Sequence, residues 1–264
     1  MDKYVLLTGA NGGIGKSILD FIKNDYKVIA LDVSDSNIKD SGVPFIKCDI
    51  TKDDDLSKAF DQISTITDNL YAIVNTVGIF MMQSIIEGNE SDFRKIFDIN
   101  FFGIYSLNKK MFPLLKEGSK IVILTSELAN YSPQPFQGYY NLTKITLDNY
   151  ADVLRRECNY LGIKVIKLQS GSMKTNMLSK ANNDFDEMVN NSKYFKQQLT
   201  KLKYMMDREI TKTNDPLLVA KTIKKILDKK NPKIRYRIKN SVSLKLMGAL
   251  PESTQDKIYK KVIK

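Results

Sequence analysis

The sequence predicts an α/β fold: a doubly wound parallel sheet of about seven strands with helices on both faces. Three observations predict it. Short β-branched runs alternate with longer amphipathic ones along the whole chain. Those short runs are almost continuously apolar, as strands covered on both faces must be. A glycine-rich segment joins the first such run to the first helical pattern. With 264 residues the chain can bury one sizeable core; length alone allows one large α/β domain across residues 1–264 or two small ones.

The strands are expected at Tyr4–Gly9, Lys27–Asp32, Pro44–Asp49, Tyr71–Thr76, Lys120–Ser126 and Lys164–Gln169. Each is a β-branched or aromatic run bounded by turn residues or charges. Lys233–Ile238, "KIRYRI", reads as a seventh. Amphipathic segments at Ile14–Lys23, Asp53–Ile63, Ser91–Leu115 and Tyr139–Leu161 supply the intervening helices. The alternation breaks once, at Asn176–Pro216, which is polar and helical in pattern. Its Met177, Phe185, Met188, Tyr194, Phe195, Tyr204, Met205 and Met206 suit either core packing or the lining of a pocket. The insert follows the carboxyl end of a strand, where open α/β sheets bind ligands, and this favours a pocket. A basic tail closes the chain at about 239–264.

Composition removes several chemistries. The chain has no histidine, so a Ser-His-Asp triad and any histidine-ligated metal are excluded. Cys48 and Cys158 lie far apart and form no CxxC pair, so neither a metal site nor a disulfide framework is expected. Proton transfer falls to Tyr, Lys, Asp, Glu or a hydroxyl. The net charge of +11 is concentrated after Lys221, yet no nucleic-acid motif accompanies it. The basic tail suits weak contact with an anionic membrane surface. The N-terminus turns glycine-rich too soon for a signal peptide, and no apolar run approaches the ~20 residues of a membrane span. A cytoplasmic protein is therefore expected.

"LLTGANGGIGKSI" places Gly9, Asn11, Gly12, Gly13, Ile14 and Gly15 between a strand and a helix. Glycines there let backbone approach a pyrophosphate, and the helix N-terminus offers N–H groups and a positive dipole. Asp32 ends the second strand near the position where a carboxylate accepts both adenosine ribose hydroxyls. It would repel a 2′-phosphate, and no Lys or Arg stands inside the loop, so NAD is expected over NADP. Asp49, followed by Ile50, ends the third strand and is a weaker candidate for contact with the adenine.

"GYYNLTK" sets Tyr140 four residues before Lys144, one turn apart on one helical face. Only Tyr140 has this spacing; Tyr139 points elsewhere. Taken alone, the pair is a common surface arrangement. With the other landmarks, the chain resembles a short-chain dehydrogenase/reductase of the compact, single-domain type with a Rossmann-type sheet. "TGANGGIG" matches that family's cofactor loop. "NTVG" (Asn75–Gly78) is similar to its Asn-Ala-Gly motif, with Thr76 and Val77 as variants. "DIN" supplies Asn100. "SGSMKT" is similar to its Pro-Gly segment, with Ser170 in place of proline and Thr175 retained.

The resemblance implies catalytic roles for Asn100, Ser126, Tyr140 and Lys144, and cofactor contacts for Asn75, Gly78, Tyr140, Lys144 and Thr175. Ser126 is favoured over Thr125 and Ser132 by family spacing. Asn100 would hold a water linking Lys144 to solvent. A tyrosine alone titrates near ~10. One positive charge at about 4 Å is worth up to ~4 kcal/mol at an effective dielectric of ~20, roughly three pKa units, with desolvation opposing. Lys144 is therefore expected to lower the phenol's pKa, with the positive ring of the oxidised nicotinamide as the second cation that offsets desolvation.

The implied reaction is hydride transfer between NAD and a secondary alcohol or ketone. The tail "IRYRIKNSVSLKLMGALPESTQDKIYKKVIK" and "VLRRECNYLGIKVIKLQSGSMKTNM" are similar to members acting on hydroxysteroids, retinol and related lipids, which implies a lipophilic substrate. The family also implies a homodimer or homotetramer through the two long helical segments, whose Phe101, Phe102, Leu147 and Tyr150 are interface or core. The glycine loop equally satisfies the longer sugar-nucleotide epimerases and dehydratases, but only about a hundred residues follow Lys144, against their larger C-terminal domain. A non-catalytic NAD-binding scaffold is the other alternative; it would have no need of Tyr140.

Overall fold

The computed structural model describes residues 2–175, 185–209 and 213–263. Seven strands form one wholly parallel sheet in the order β3-β2-β1-β4-β5-β6-β7. They are β1 Tyr4–Thr8, β2 Lys27–Asp32, β3 Phe45–Lys47, β4 Leu70–Asn75, β5 Leu115–Ser126, β6 Lys164–Ser170 and β7 Arg235–Ile238. The order reverses between β1 and β4, which opens a crevice at their carboxyl ends.

Alternate strand residues serve opposite faces. Val5, Leu7, Val28, Ala30, Val74 and Val122 pack beneath α1 (Gly13–Ile22) and α7 (Leu217–Asp228). Leu6, Ile29, Leu31, Ile73, Ile121 and Ile123 pack beneath α2 (Asp53–Ile66), α4 (Gly103–Met111) and α5 (Gly138–Cys158). Burial on both faces explains why the strands read as continuous apolar runs. Asp53, Asp54 and Asp55 stabilise the first turn of α2 against its dipole. Arg155 and Arg156 do the same for the last turn of α5, and Gly162, at φ 68°, turns the chain into β6.

Two expectations are corrected. Ser91–Leu115 is not one helix. It divides into α3 (Glu90–Phe97), a π-helical turn at Asp98–Phe102, α4, and a 3-10 turn at Phe112–Leu114. The extra residue in a π turn shifts the helical phase, and the apolar Ile96, Phe97, Ile99, Phe101 and Phe102 crowded around it hide that shift. The fifth strand starts at Leu115 rather than Lys120, with a register irregularity where Leu70 and Ala72 pair with it. Lys116, Glu117 and Gly118 after the buried Leu115 are exposed, so this stretch lacks the apolar signature of the rest.

The insert carries α6 (Lys196–Glu209). Phe185, Met188 and Leu199 are buried against Met82, with Phe80, Phe136 and Phe195 around them, so these side chains pack as a third, smaller core. Tyr194 is exposed; Met177 and the side chains of Met205 and Met206 lie outside the described residues. The basic tail folds as α8 (Val242–Gly248) and α9 (Glu252–Ile263), with Gln255 and Ile263 buried. Of the candidate interface residues, Leu147 is core, Phe101 and Tyr150 are partly buried beside it, and Phe102 is 52% exposed. No described helix is long and apolar enough to cross a membrane.

Candidate active site

The carboxyl ends of β1, β2 and β4 meet around the glycine loop. Gly9 (φ 69°) donates its N–H to Leu31 O at 2.9 Å. A Cβ on Gly15 would fall 2.0 Å from Gly9 O, so α1 can approach β1 this closely only with glycine there. Gly12 caps α1 without any side-chain hydrogen bond, leaving the first-turn amides open. Thr175 lies directly over the loop, its Cγ2 2.9 Å from where a Cβ on Gly13 would sit. Asp32 closes the other side: its Oδ2 accepts Asn11 N at 3.0 Å and its Oδ1 accepts Val33 N at 2.7 Å.

Asn37, which the motif reading did not single out, completes this corner. Its N–H donates to Asn11 Oδ1 at 2.7 Å and its side chain to Asn11 O at 2.9 Å. Asp49 accepts from Thr51 N and Oγ1 at 3.0 and 2.7 Å. The Ile50 side chain is buried in the core, against Gly103 of α4, so only its backbone remains for a ligand. Asn75 is likewise turned inward, donating to Asn108 Oδ1 at 2.9 Å.

One helix and two strand ends assemble the second cluster. Lys144, buried on α5, places Nζ 5.6 Å from the Tyr140 ring centroid. A Cβ on Gly78 would sit 3.3 Å from Lys144 Nζ and 3.4 Å from Asn100 Oδ1, so these three residues converge. Asn100 is the buried member of the π-helical turn. Its Oδ1 accepts Ile79 N at 2.8 Å, while Nδ2 donates to Ile79 O at 2.9 Å and to Thr143 Oγ1 at 3.1 Å. That amide therefore clamps the backbone after β4 onto α5.

Among the three hydroxyls left open by sequence, Ser126 is the one that hydrogen-bonds the Tyr140 phenol. Thr125 faces away and donates to Asp148 Oδ1 at 3.1 Å. Tyr139 is spent on structure: its hydroxyl donates to Asn89 O at 3.0 Å and its ring packs on Phe93. Phe80, two residues past Gly78, stacks at 4.8 Å and 58° against the Tyr140 ring. No local pattern marked Phe80; only its place after the "NTVG" turn could have.

Among the protein's own groups, burial dominates over Lys144. Burial pushes the Tyr140 phenol up to about 12, and the bond from Ser126 only partly opposes this. Burial also pushes Lys144 down to about 8. Desolvation penalises both charged forms. It outweighs the attraction between them that a simple Coulomb argument from spacing supplies.

A family model described as short chain dehydrogenase matches residues 3–186. An uncharacterized oxidoreductase, YbbO, of Escherichia coli is 30% identical over 69% of this chain and 70% of its own. A 3-ketodihydrosphingosine reductase of Bacteroides thetaiotaomicron is 21% identical over 89% and 87%. An NADPH-dependent 1-acyldihydroxyacetone phosphate reductase of Schizosaccharomyces pombe is 28% identical over 68% and 62%. Among solved structures, a short-chain dehydrogenase from Streptomyces avermitilis superposes with a TM-score of 0.74 at 20% identity, covering 98% and 96%. A 3-ketoacyl-(acyl-carrier-protein) reductase from Brucella melitensis, complexed with NADH, gives 0.73 at 19% identity, covering 90% and 96%.

Proposed function

The chain belongs to the short chain dehydrogenase family, and from that membership we propose that it is an NAD-dependent oxidoreductase interconverting a lipophilic secondary alcohol and its ketone. The single observation that carries this reading is the convergence of Ser126, Tyr140, Lys144 and Asn100 at the crevice beside the glycine loop.

The residues fit a dinucleotide. The loop from Gly9 to Gly15 is a cradle that side chains would fill, and the start of α1 offers uncapped amides. Asp32 and Asn11 would hold the adenosine ribose, with Asp49 and Ile50 on the adenine side; Gly78, Lys144 and Thr175 would border the nicotinamide end. The nicotinamide, when bound, accepts or returns the hydride. Tyr140 carries the proton: its phenol gives one to the carbonyl oxygen in reduction and its phenolate takes one from the alcohol in oxidation. Ser126 orients the same substrate oxygen. Lys144 supplies positive charge beside the phenolate, and Asn100 holds the wall against which Lys144 rests.

Asp32 supports NAD over NADP, because its carboxylate would lie against a 2′-phosphate. Support for a lipophilic substrate comes from the Phe80 ring packed on Tyr140. That one relative is named a 3-ketodihydrosphingosine reductase agrees with this class.

The test is the NADH absorbance band followed with a panel of secondary alcohols and ketones of rising chain length. Turnover with NAD, preferred over NADP and increasing with apolar length, is expected. Tyr140→Phe should bind NADH with unchanged affinity and lose activity by roughly 10²–10⁴-fold. Wild-type turnover in Tyr140→Phe overturns the assignment.

A further inference from the structure

Behind the Ser126–Tyr140 contact lies a buried polar network that none of the proposed steps uses. We infer that Asp148 is a positioning residue: its carboxylate ties the helix bearing Tyr140 and Lys144 to the strand bearing Ser126, and so sets the distance between phenol and hydroxyl. The inference rests on the oxidoreductase reading for its consequence, but not for its geometry.

Tyr140, Lys144 and Asp148 follow one another at intervals of four along α5, so Asp148 continues the same face one turn on. Its Oδ1 accepts from Thr125 Oγ1 of β5 at 3.1 Å and from Gln169 Nε2 of β6 at 2.8 Å. Its Oδ2 accepts from Lys167 Nζ of β6 at 2.6 Å. Lys167 is 2% exposed and reaches Asp152 Oδ2 as well, at 2.7 Å. Gln169 Nε2 also donates to Asn130 Oδ1 at 3.0 Å, at the end of the turn that follows Ser126. Ser126 is therefore bracketed: the residue before it is bonded to Asp148, and the turn after it is bonded to Gln169.

Stability is a poor explanation for such a network. A buried ion pair returns little more than its desolvation cost, and apolar side chains of similar volume often serve folding equally well. What apolar packing does not supply is direction. Three donors from two strands converge on one carboxylate and leave the helix little freedom to slide or rotate. Ser126 and Tyr140 come from different elements, and a displacement of about 1 Å between reacting groups costs up to ~10²-fold in rate.

The test uses the isosteric pair Thr125→Val and Thr125→Ser, with Asp148→Asn, in the full chain. Tyrosine labelled with ¹³C at Cζ reports the phenol, its Tyr140 resonance assigned by its loss in Tyr140→Phe. Thr125→Val and Asp148→Asn are expected to shift that resonance and lower kcat about tenfold, with KM and NADH affinity within about twofold. Thr125→Ser, which keeps the donor, should restore both. If Thr125→Val and Asp148→Asn fold and leave resonance and kcat at wild-type values, the inference is overturned. Should Asp148→Asn fail to fold, Thr125→Val decides. Should the wild-type protein turn over no alcohol or ketone, the oxidoreductase reading fails, while the resonance still decides the positioning claim.

Discussion

Adding one methyl group at Gly78 measures how closely the site is fitted. In Gly78→Ala the new carbon would lie 3.3 Å from Lys144 Nζ and 3.4 Å from Asn100 Oδ1. The ammonium must retreat by a few tenths of an ångström. The expected result is a fall in kcat of about tenfold with stability changed by only about 1 kcal/mol, read by turnover beside urea unfolding. The protonation states set a second expectation. With Tyr140 pushed up to about 12, the phenol holds its proton at neutral pH, the form that serves reduction. In the proposed mechanism oxidation requires the phenolate, so its kcat/KM should climb steadily with pH through neutrality with no plateau below about 12, while that of reduction stays flat over the neutral range. A flat oxidation profile would show that another base does the work. At the proposed nucleotide end, Asp32→Ser removes the carboxylate proposed to face the ribose 2′ position. NADP should then gain affinity relative to NAD by about tenfold or more, measured by thermal shift with each cofactor.

At the scale of elements, Glu87 adds a polar clasp to the apolar packing that holds the insert on Met82. Glu87, in the loop after β4, accepts from Ser192 Oγ at 2.7 Å, Lys193 N at 2.7 Å and Tyr194 N at 2.9 Å. The Ser192 hydroxyl above all, with the two amides, holds its carboxyl below the ordinary carboxylate range against the opposing effect of burial. A carboxylate with a lowered folded-state pKa contributes stability above its unfolded pKa and loses it as pH falls through the folded value. The clasp therefore persists at neutral pH and releases only in acid. Glu87→Gln should speed hydrogen exchange at the Lys193 and Tyr194 amides, leave the sheet amides protected, and raise KM more than it lowers kcat. Unchanged exchange at those two amides would remove Glu87 from this role. The π turn works at the same scale: it aims Asn100 at both polar groups of Ile79, which a regular helix through Asp98–Phe102 would carry out of phase.

For the whole molecule, two buried ammonium groups shape the pH dependence of stability. Lys120 is 2% exposed, donates to Tyr71 OH and Leu227 O, and is pushed down to about 8 by burial, as is Lys144. Both titrate near ~10.4 in the unfolded chain. Above about pH 8 the unfolded chain binds more protons than the folded one, so stability rises with pH there. Cys48 and Cys158, pushed up by burial to about 12 and about 11, act oppositely once the unfolded thiols ionise near ~8.5–9. Urea unfolding at a series of pH values should show a gain of about 1–2 kcal/mol from pH 8 to a maximum near pH 9. Lys120→Met should remove most of that gain, because the two thiols then roughly cancel the one remaining lysine. A wild-type curve falling from pH 8 to 9 would show that neither lysine is held in this way.

By itself the sequence determined what repeats or stays local: the alternation of strand and helix, the glycine loop between β1 and α1, the acid at the end of β2, and Tyr140 one turn before Lys144. These depend on periods and spacings of a few residues, which backbone geometry carries unaided. Only the tertiary structure decided which hydroxyl meets the phenol, since Thr125 and Ser126 are neighbours that alternate between faces. It also turned Asn75 and Ile50 inward, broke Ser91–Leu115 at Asn100, and brought Phe80 against Tyr140. It buried Lys167 beneath Asp148 and made burial dominate over Lys144 in the phenol's acidity. The physical reason is the same in each case: desolvation and through-space contact depend on groups that the chain brings together from distant positions, and no spacing along it records them.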